Sequence, residues 1–180
     1  STQGVSSAAS DVYKRQFQLL QEMLNETGGK TMTKEITCAE FKEELDTIKD
    51  DIVRDIATKI MERVAGKMDE EIATHSKRVA KIAASIGASR GYQGLALDVV
   101  TAAALLHDAY KNEKGELHPM CIRLEHRDIL SEIDPGIAET LCSLVEGHEG
   151  FNSIIPKLAA KEGTIEQILC DANTVEKLEL

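Results

Sequence analysis

At 180 residues the chain has material for about one domain with a sizeable core, and its 42% hydrophobic and 29% charged content is that of a soluble protein. Only 3% of residues are aromatic and none is Trp, while Ala, Leu, Ile, Glu and Lys abound, which favours helix over sheet. A net charge of −10 argues against broad nucleic-acid binding, which needs basic surface, but leaves room for a small phosphorylated substrate held by a metal ion and a few local cations.

No apolar run reaches the ~20 residues of a bilayer span, so no membrane partner is expected. No secretory signal is visible, and Cys38, Cys121, Cys142 and Cys170 form no paired motif. They read as reduced thiols of a cytoplasmic protein.

In chain order, STQGVSSAASDVYKRQ (residues 1–16) lacks apolar periodicity and reads as a disordered tail. Within it, residues 6–16 resemble the in-frame translation of a sequencing-library transposon adapter. On that reading the segment is artefactual and is set aside from the fold. Lys14 and Arg15 carry +2 and Asp11 −1, so without it the net charge moves from −10 to −11, and the natural start falls at Met23 or Met32. Residues 17–68 then form an N-terminal helical extension. Ile48, Ile52, Ile56, Ile60 and Val64, at steps of four, predict one long amphipathic helix over 39–65, with Gly66 as its stop.

Asp69 opens a second helix to about Ile86, ended by Gly87. A third runs from Leu95 to Tyr110, followed by a loop at 112–116. A fourth spans Pro119–Ile133, where Pro119 suits a first turn, and Asp134-Pro135-Gly136 breaks it. A fifth reaches about Gly147, residues 149–163 are loop with room for a short helix, and a last helix starts near Thr164. The chain stops at EKLEL inside that helix, which reads as a shortened C-terminus. No strand-like alternation competes, so the expected class is all-α, a compact helical bundle.

Histidines are the informative residues, because there are only five. His75 shares a helical stripe with Val79, Ile82, Ala83 and Ile86, and His148 shares one with Ile137, Leu141, Leu144 and Val145. His107-Asp108 terminates the apolar run TAAALL. A His and an Asp are costly to bury without partners. Near a helix end, adjacent residues can reach one ion. Imidazole nitrogen with carboxylate oxygen suits Mn²⁺, Fe²⁺, Co²⁺, Ni²⁺ or Zn²⁺.

HSKRVAKIAASIG (75–87), ALLHDAYK (104–111), VEGHEG (145–150) and ILCDANTVEKL (168–178) together resemble the HD-domain metal-dependent phosphohydrolase superfamily, over roughly residues 69–180. The resemblance implies an HD-type all-α bundle and a divalent metal (Mn, Fe, Co, Ni, Zn or Mg) held by His75, His107, Asp108 and a late Asp. At that late place this chain reads Asp171-Ala172-Asn173. Asp171 is the only carboxylate of the run and is favoured as ligand; aligned on the following EKL, the position falls on Asn173, an uncharged and weaker oxygen donor. Other members use further His for a second metal or the phosphate. His148 fits one such place, and His118 the other, with His126 as its alternative. Lys111, one turn beyond His107, matches a family Lys that could meet a phosphate oxygen. The Gly-Tyr-Pro signature of the cyclic-dinucleotide-cleaving subgroup is absent from GHEGFNSIIP, so that substrate is not assigned.

The expected activity is metal-dependent hydrolysis of a phosphomonoester or phosphodiester of a nucleotide-like substrate. Asp108 would ligate the metal while orienting the attacking water. Two rivals stand beside it. One is a degenerate module that keeps the fold but has lost competence at Asn173. The other is a helical interaction domain that forms a homo-oligomer through the Ile48–Val64 stripe, a stripe that more often packs a core.

Overall fold

The computed structural model describes residues 14–19, 34–150 and 163–178. Residues 14–19 are helical and lie in a unit, Ser1–Glu35, distinct from the unit Ile36–Leu180 that holds everything below. Most of the expected tail, and the loop expected at 149–163 except Glu149, Gly150 and Gly163, fall outside the described residues. Among the described residues every regular element is a helix or a 3₁₀ turn.

The expected 39–65 helix is instead a 3₁₀ turn (Cys38–Phe41), α1 (Lys42–Asp46) and α2 (Asp51–Val64). The break at 47–50 has two causes. Asp50 caps α2 by accepting from the backbone N–H of Ile52 at 3.0 Å and Val53 at 2.9 Å. Asp98, far along the chain, accepts from the N–H of Lys49 at 3.2 Å and Asp50 at 2.9 Å. The isoleucine stripe is therefore not continuous: Ile48, Ile56, Ile60 and Val64 are buried, but Ile52 is 59% exposed. Ile52 lies in the first turn of α2, at the edge of the face that Ile56, Ile60 and Val64 bury, because a step of four overshoots the 3.6-residue turn by about 40° each time. The other four pack inside this chain.

Asp69 caps α3 (Glu70–Ser89), which runs past its expected end at Gly87. Gly87 is inside the helix because α4 (Leu95–Leu106) crosses there: a Cβ on Gly87 would come within 2.6 Å of Leu97 Cδ2. α4 is the central element, buried continuously from Asp98 to Leu106 and packed against α2, α3 and α8. It ends at Leu106 rather than Tyr110, and the expected loop that follows is α5 (Lys111–Lys114) and a 3₁₀ turn over Gly115–Met120. The expected Pro119–Ile133 helix is divided by His126 (φ −125°) into α6 (Cys121–Glu125) and α7 (Arg127–Leu130). α8 (Pro135–Glu146) begins as its sequence dictates. Pro135 occupies the first turn, and the Asp134 side chain accepts from Gly136 and Ile137 N–H. α9 (Ile165–Leu178) lies across α3 and also meets α8. All four cysteines are free thiols. No described helix is long and apolar enough to cross a membrane.

Candidate metal centre

Helix ends build the centre. The last carbonyls of a helix have no partner within it, and three histidines placed just past helical turns use them. The Nδ1–H of His107 donates to Ala104 O at 2.6 Å, that of His118 to Gly115 O at 2.7 Å, and that of His148 to Val145 O at 2.5 Å. Each partner lies three residues back along the chain. A carbonyl can only accept, so Nδ1 carries the proton and Nε2 is left with a lone pair. His75, in the body of α3, has no free carbonyl beneath it. Its Nδ1–H donates to Glu176 Oε2 of α9 at 2.7 Å.

All four Nε2 atoms converge on one carboxylate. Asp108 Oδ2 lies 3.2 Å from His75 Nε2 and 3.2 Å from His107 Nε2, which are themselves 3.2 Å apart. Asp108 Oδ1 lies 3.0 Å from His118 Nε2 and 3.3 Å from His148 Nε2, again with 3.2 Å between the two imidazoles. The result is two three-atom sites sharing Asp108, His75–His107–Asp108 and Asp108–His118–His148, either of which could hold a metal ion. All but His75 are fully buried; its side chain is 15% exposed and marks the open edge. Glu149 Oε1, 3.7 Å from His118 Nε2, stands beside the second site.

Each triangle consists of three acceptors facing one another, a repulsive arrangement unless a cation lies between them. The proton affinities agree. Burial works against charge on His75, but the carboxylates of Asp108 and Glu176, as hydrogen-bond acceptors, raise its pKa above the ordinary imidazole value. His118 is raised in the same way, against its burial, by Asp108 and the Gly115 carbonyl. His148 is lowered, chiefly by burial. Burial also opposes ionisation of Asp108, yet His107 and the other imidazoles hold its carboxyl far below the usual range.

The remaining candidates lie elsewhere. Asp171 pairs with Arg90 Nη2 at 2.5 Å and accepts from Gln167 Nε2 at 2.8 Å, on the outer side of α9. Asn173 is buried at 5% exposure, and its Oδ1 has no partner. His126 is buried away from the cluster, against Tyr110 OH at 2.7 Å. Lys111 is exposed at the start of α5. Glu176 and Glu149 were not anticipated; the only sequence signal for Glu176 is its place one helical turn after Asn173.

A family model described as HD domain matches residues 72–176 of the chain. No curated protein and no solved structure matches it.

Proposed function

The chain belongs to the HD-domain family, and from that premise we propose that it is a divalent-metal-dependent phosphohydrolase acting on a phosphomonoester or phosphodiester of a nucleotide-like substrate. The observation that carries the reading is the pair of acceptor-only triangles sharing Asp108, a donor set that fits a divalent transition ion on each side. His75, His107 and Asp108 Oδ2 would hold one ion, and Asp108 Oδ1, His118 and His148 the other. A divalent ion held there supplies Lewis acidity and a bound water acidic enough to ionise near neutrality.

The residues of the chain do the rest. Backbone carbonyls fix three imidazoles in the tautomer a cation needs. Asp108 would serve both sites and orient an attacking water by accepting a hydrogen bond from it. Asn173, with its unpartnered Oδ1, is a better candidate for the further oxygen ligand than Asp171, whose carboxylate is taken by Arg90 and Gln167. Lys111 is proposed to meet a phosphate oxygen. The substrate enters at the His75 edge, and a cytoplasmic setting suits the free thiols.

The test is hydrolysis of bis-p-nitrophenyl phosphate and a nucleotide panel by metal-free protein supplemented with Mn²⁺. We expect turnover that depends on the metal and falls at least ~100-fold in Asp108→Ala and His107→Ala, the order of loss when an essential group of a reacting site is removed. A specific observation favours one second reading. Asn173 brings no charge to the place where a carboxylate is expected, as in a degenerate module that binds metal weakly and turns nothing over. No turnover, with no metal retained by the wild type, would overturn the hydrolase and support that module.

A further inference from the structure

Glu176 has no part in the proposal above, yet it is one of the most deliberately placed charges in the described structure. It is 5% exposed, in the last turns of α9, and its Oε2 receives the Nδ1–H of His75 at 2.7 Å. The other three imidazoles of the cluster are oriented by neutral backbone carbonyls. His75 alone is oriented by a full negative charge. The remaining cation near Glu176 is Arg78, whose Nη1 lies 3.9 Å from Oε1 and whose side chain is 58% exposed, so water screens much of that attraction.

The rest of α9 explains why a charge there matters. Asp171 faces Arg90. Asn173, one turn before Glu176 and on nearly the same face, is buried with an unpartnered Oδ1 and carries no charge. Among the described residues Glu176 is thus the one carboxylate of α9 in contact with the cluster. The half of the centre nearest α9, His75–His107–Asp108, would give a divalent cation a single formal negative charge from its own ligands.

We propose that Glu176 is a positioning residue that delivers the negative charge of α9 to this half of the centre through His75. It fixes His75 as the Nδ1–H tautomer, turns Nε2 toward Asp108, and makes that nitrogen a stronger donor to a cation. The inference rests on the metal-centre reading. Its distinctive claim is that the charge of Glu176 matters, not merely its hydrogen bond.

Calorimetric Mn²⁺ titration of the full chain separates the two. Glu176→Gln keeps an acceptor for His75 and removes the charge. We expect it to weaken Mn²⁺ binding by about tenfold or more, the usual effect of losing an outer partner of a ligating His. Glu176→Asp keeps both the acceptor and the charge and should retain most of the affinity. Unchanged affinity in Glu176→Gln would overturn the proposal. So would weakening in Glu176→Asp as large as in Glu176→Gln, since Glu176 would then be scaffold only. A measurement on wild type guards against a variant that fails to fold. Long-range ¹⁵N–¹H correlation should find His75 as the Nδ1–H tautomer, and an Nε2–H tautomer would sink the idea. Wild-type protein that binds no Mn²⁺ at all would instead overturn the metal-centre reading itself.

Discussion

A histidine three residues beyond a free carbonyl is a small device with a large consequence. The carbonyl takes the Nδ1 proton, the ring is pinned, and Nε2 is presented as a lone pair. His107, His118 and His148 all use it. The apolar stripes around His75 and His148 made their inward direction legible in the sequence, as did the run that ends at His107-Asp108. What separates His118 from His126 was not legible, because both precede helix-like segments. The fold separates them. His118 reaches Asp108, while His126 is keyed under Tyr110 with its Nδ1 buried and unpartnered. Burial, aided by Arg63 and Lys67 and opposed by Asp128 and Glu125, lowers the His126 pKa from the ordinary 6.5. The sign follows. Below pH 6.5 the unfolded chain binds a proton at this residue that the folded chain resists, so folding stability is intact above that pH and declines as the pH falls below it. Thermal melting from about pH 7.5 down to about pH 5.5 should therefore fall more steeply in wild type than in His126→Gln. Parallel curves would show that His126 takes up its proton equally in the folded and unfolded states.

At the scale of elements, segments with their own start signals were readable and segments held by distant partners were not. Asp69 and Asp134-Pro135 announce α3 and α8, and both helices begin there. The break between α1 and α2 depends on Asp98, a residue nearly fifty positions away that no local pattern could supply. The short helices between Lys111 and Leu130 are likewise held from outside. Lys67 Nζ pairs with Glu113 at 2.7 Å, and Arg63 grips Asp128 with both terminal nitrogens, at 3.0 and 2.7 Å. Periodicity alone merges such pieces into one helix. Asp98 is the point at which this account is most exposed to test. It is 7% exposed and satisfies two backbone donors. Asp98→Ala leaves both without their acceptor and should lower the free energy of unfolding by about 2–3 kcal/mol, as hydrogen bonds to a charged group usually contribute. Urea denaturation measures it. A change within about 0.5 kcal/mol, the range of a neutral surface substitution, would mean the break stands without Asp98.

Across the whole molecule, the five-residue cluster stands where the body of α3, the ends of α4 and α8 and the 115–120 turn come together, backed by α9 through Glu176. The all-α class was legible because composition and periodicity both exclude a sheet. The convergence was not, since it depends on how five separate segments pack. A bundle that gathers four imidazoles and a carboxylate in its interior gives up apolar packing at its middle. Without a cation, protons must fill the gaps between acceptors, and His75 and His118 are poised to take them. The native state should therefore be linked to metal more strongly than a surface site would make it, because the unfolded chain offers no preformed donor set. At a free Mn²⁺ concentration of ~100 times its dissociation constant, linkage contributes about 2.7 kcal/mol, or a melting temperature about 5–10 °C above that in chelator for a chain of this size. Asp108→Asn, which weakens both halves at once, should abolish the shift, whereas His148→Ala should spare the part carried by His75 and His107. Equal loss in the two variants would mean that the halves do not bind independently and that Asp108 joins them into a single cooperative centre.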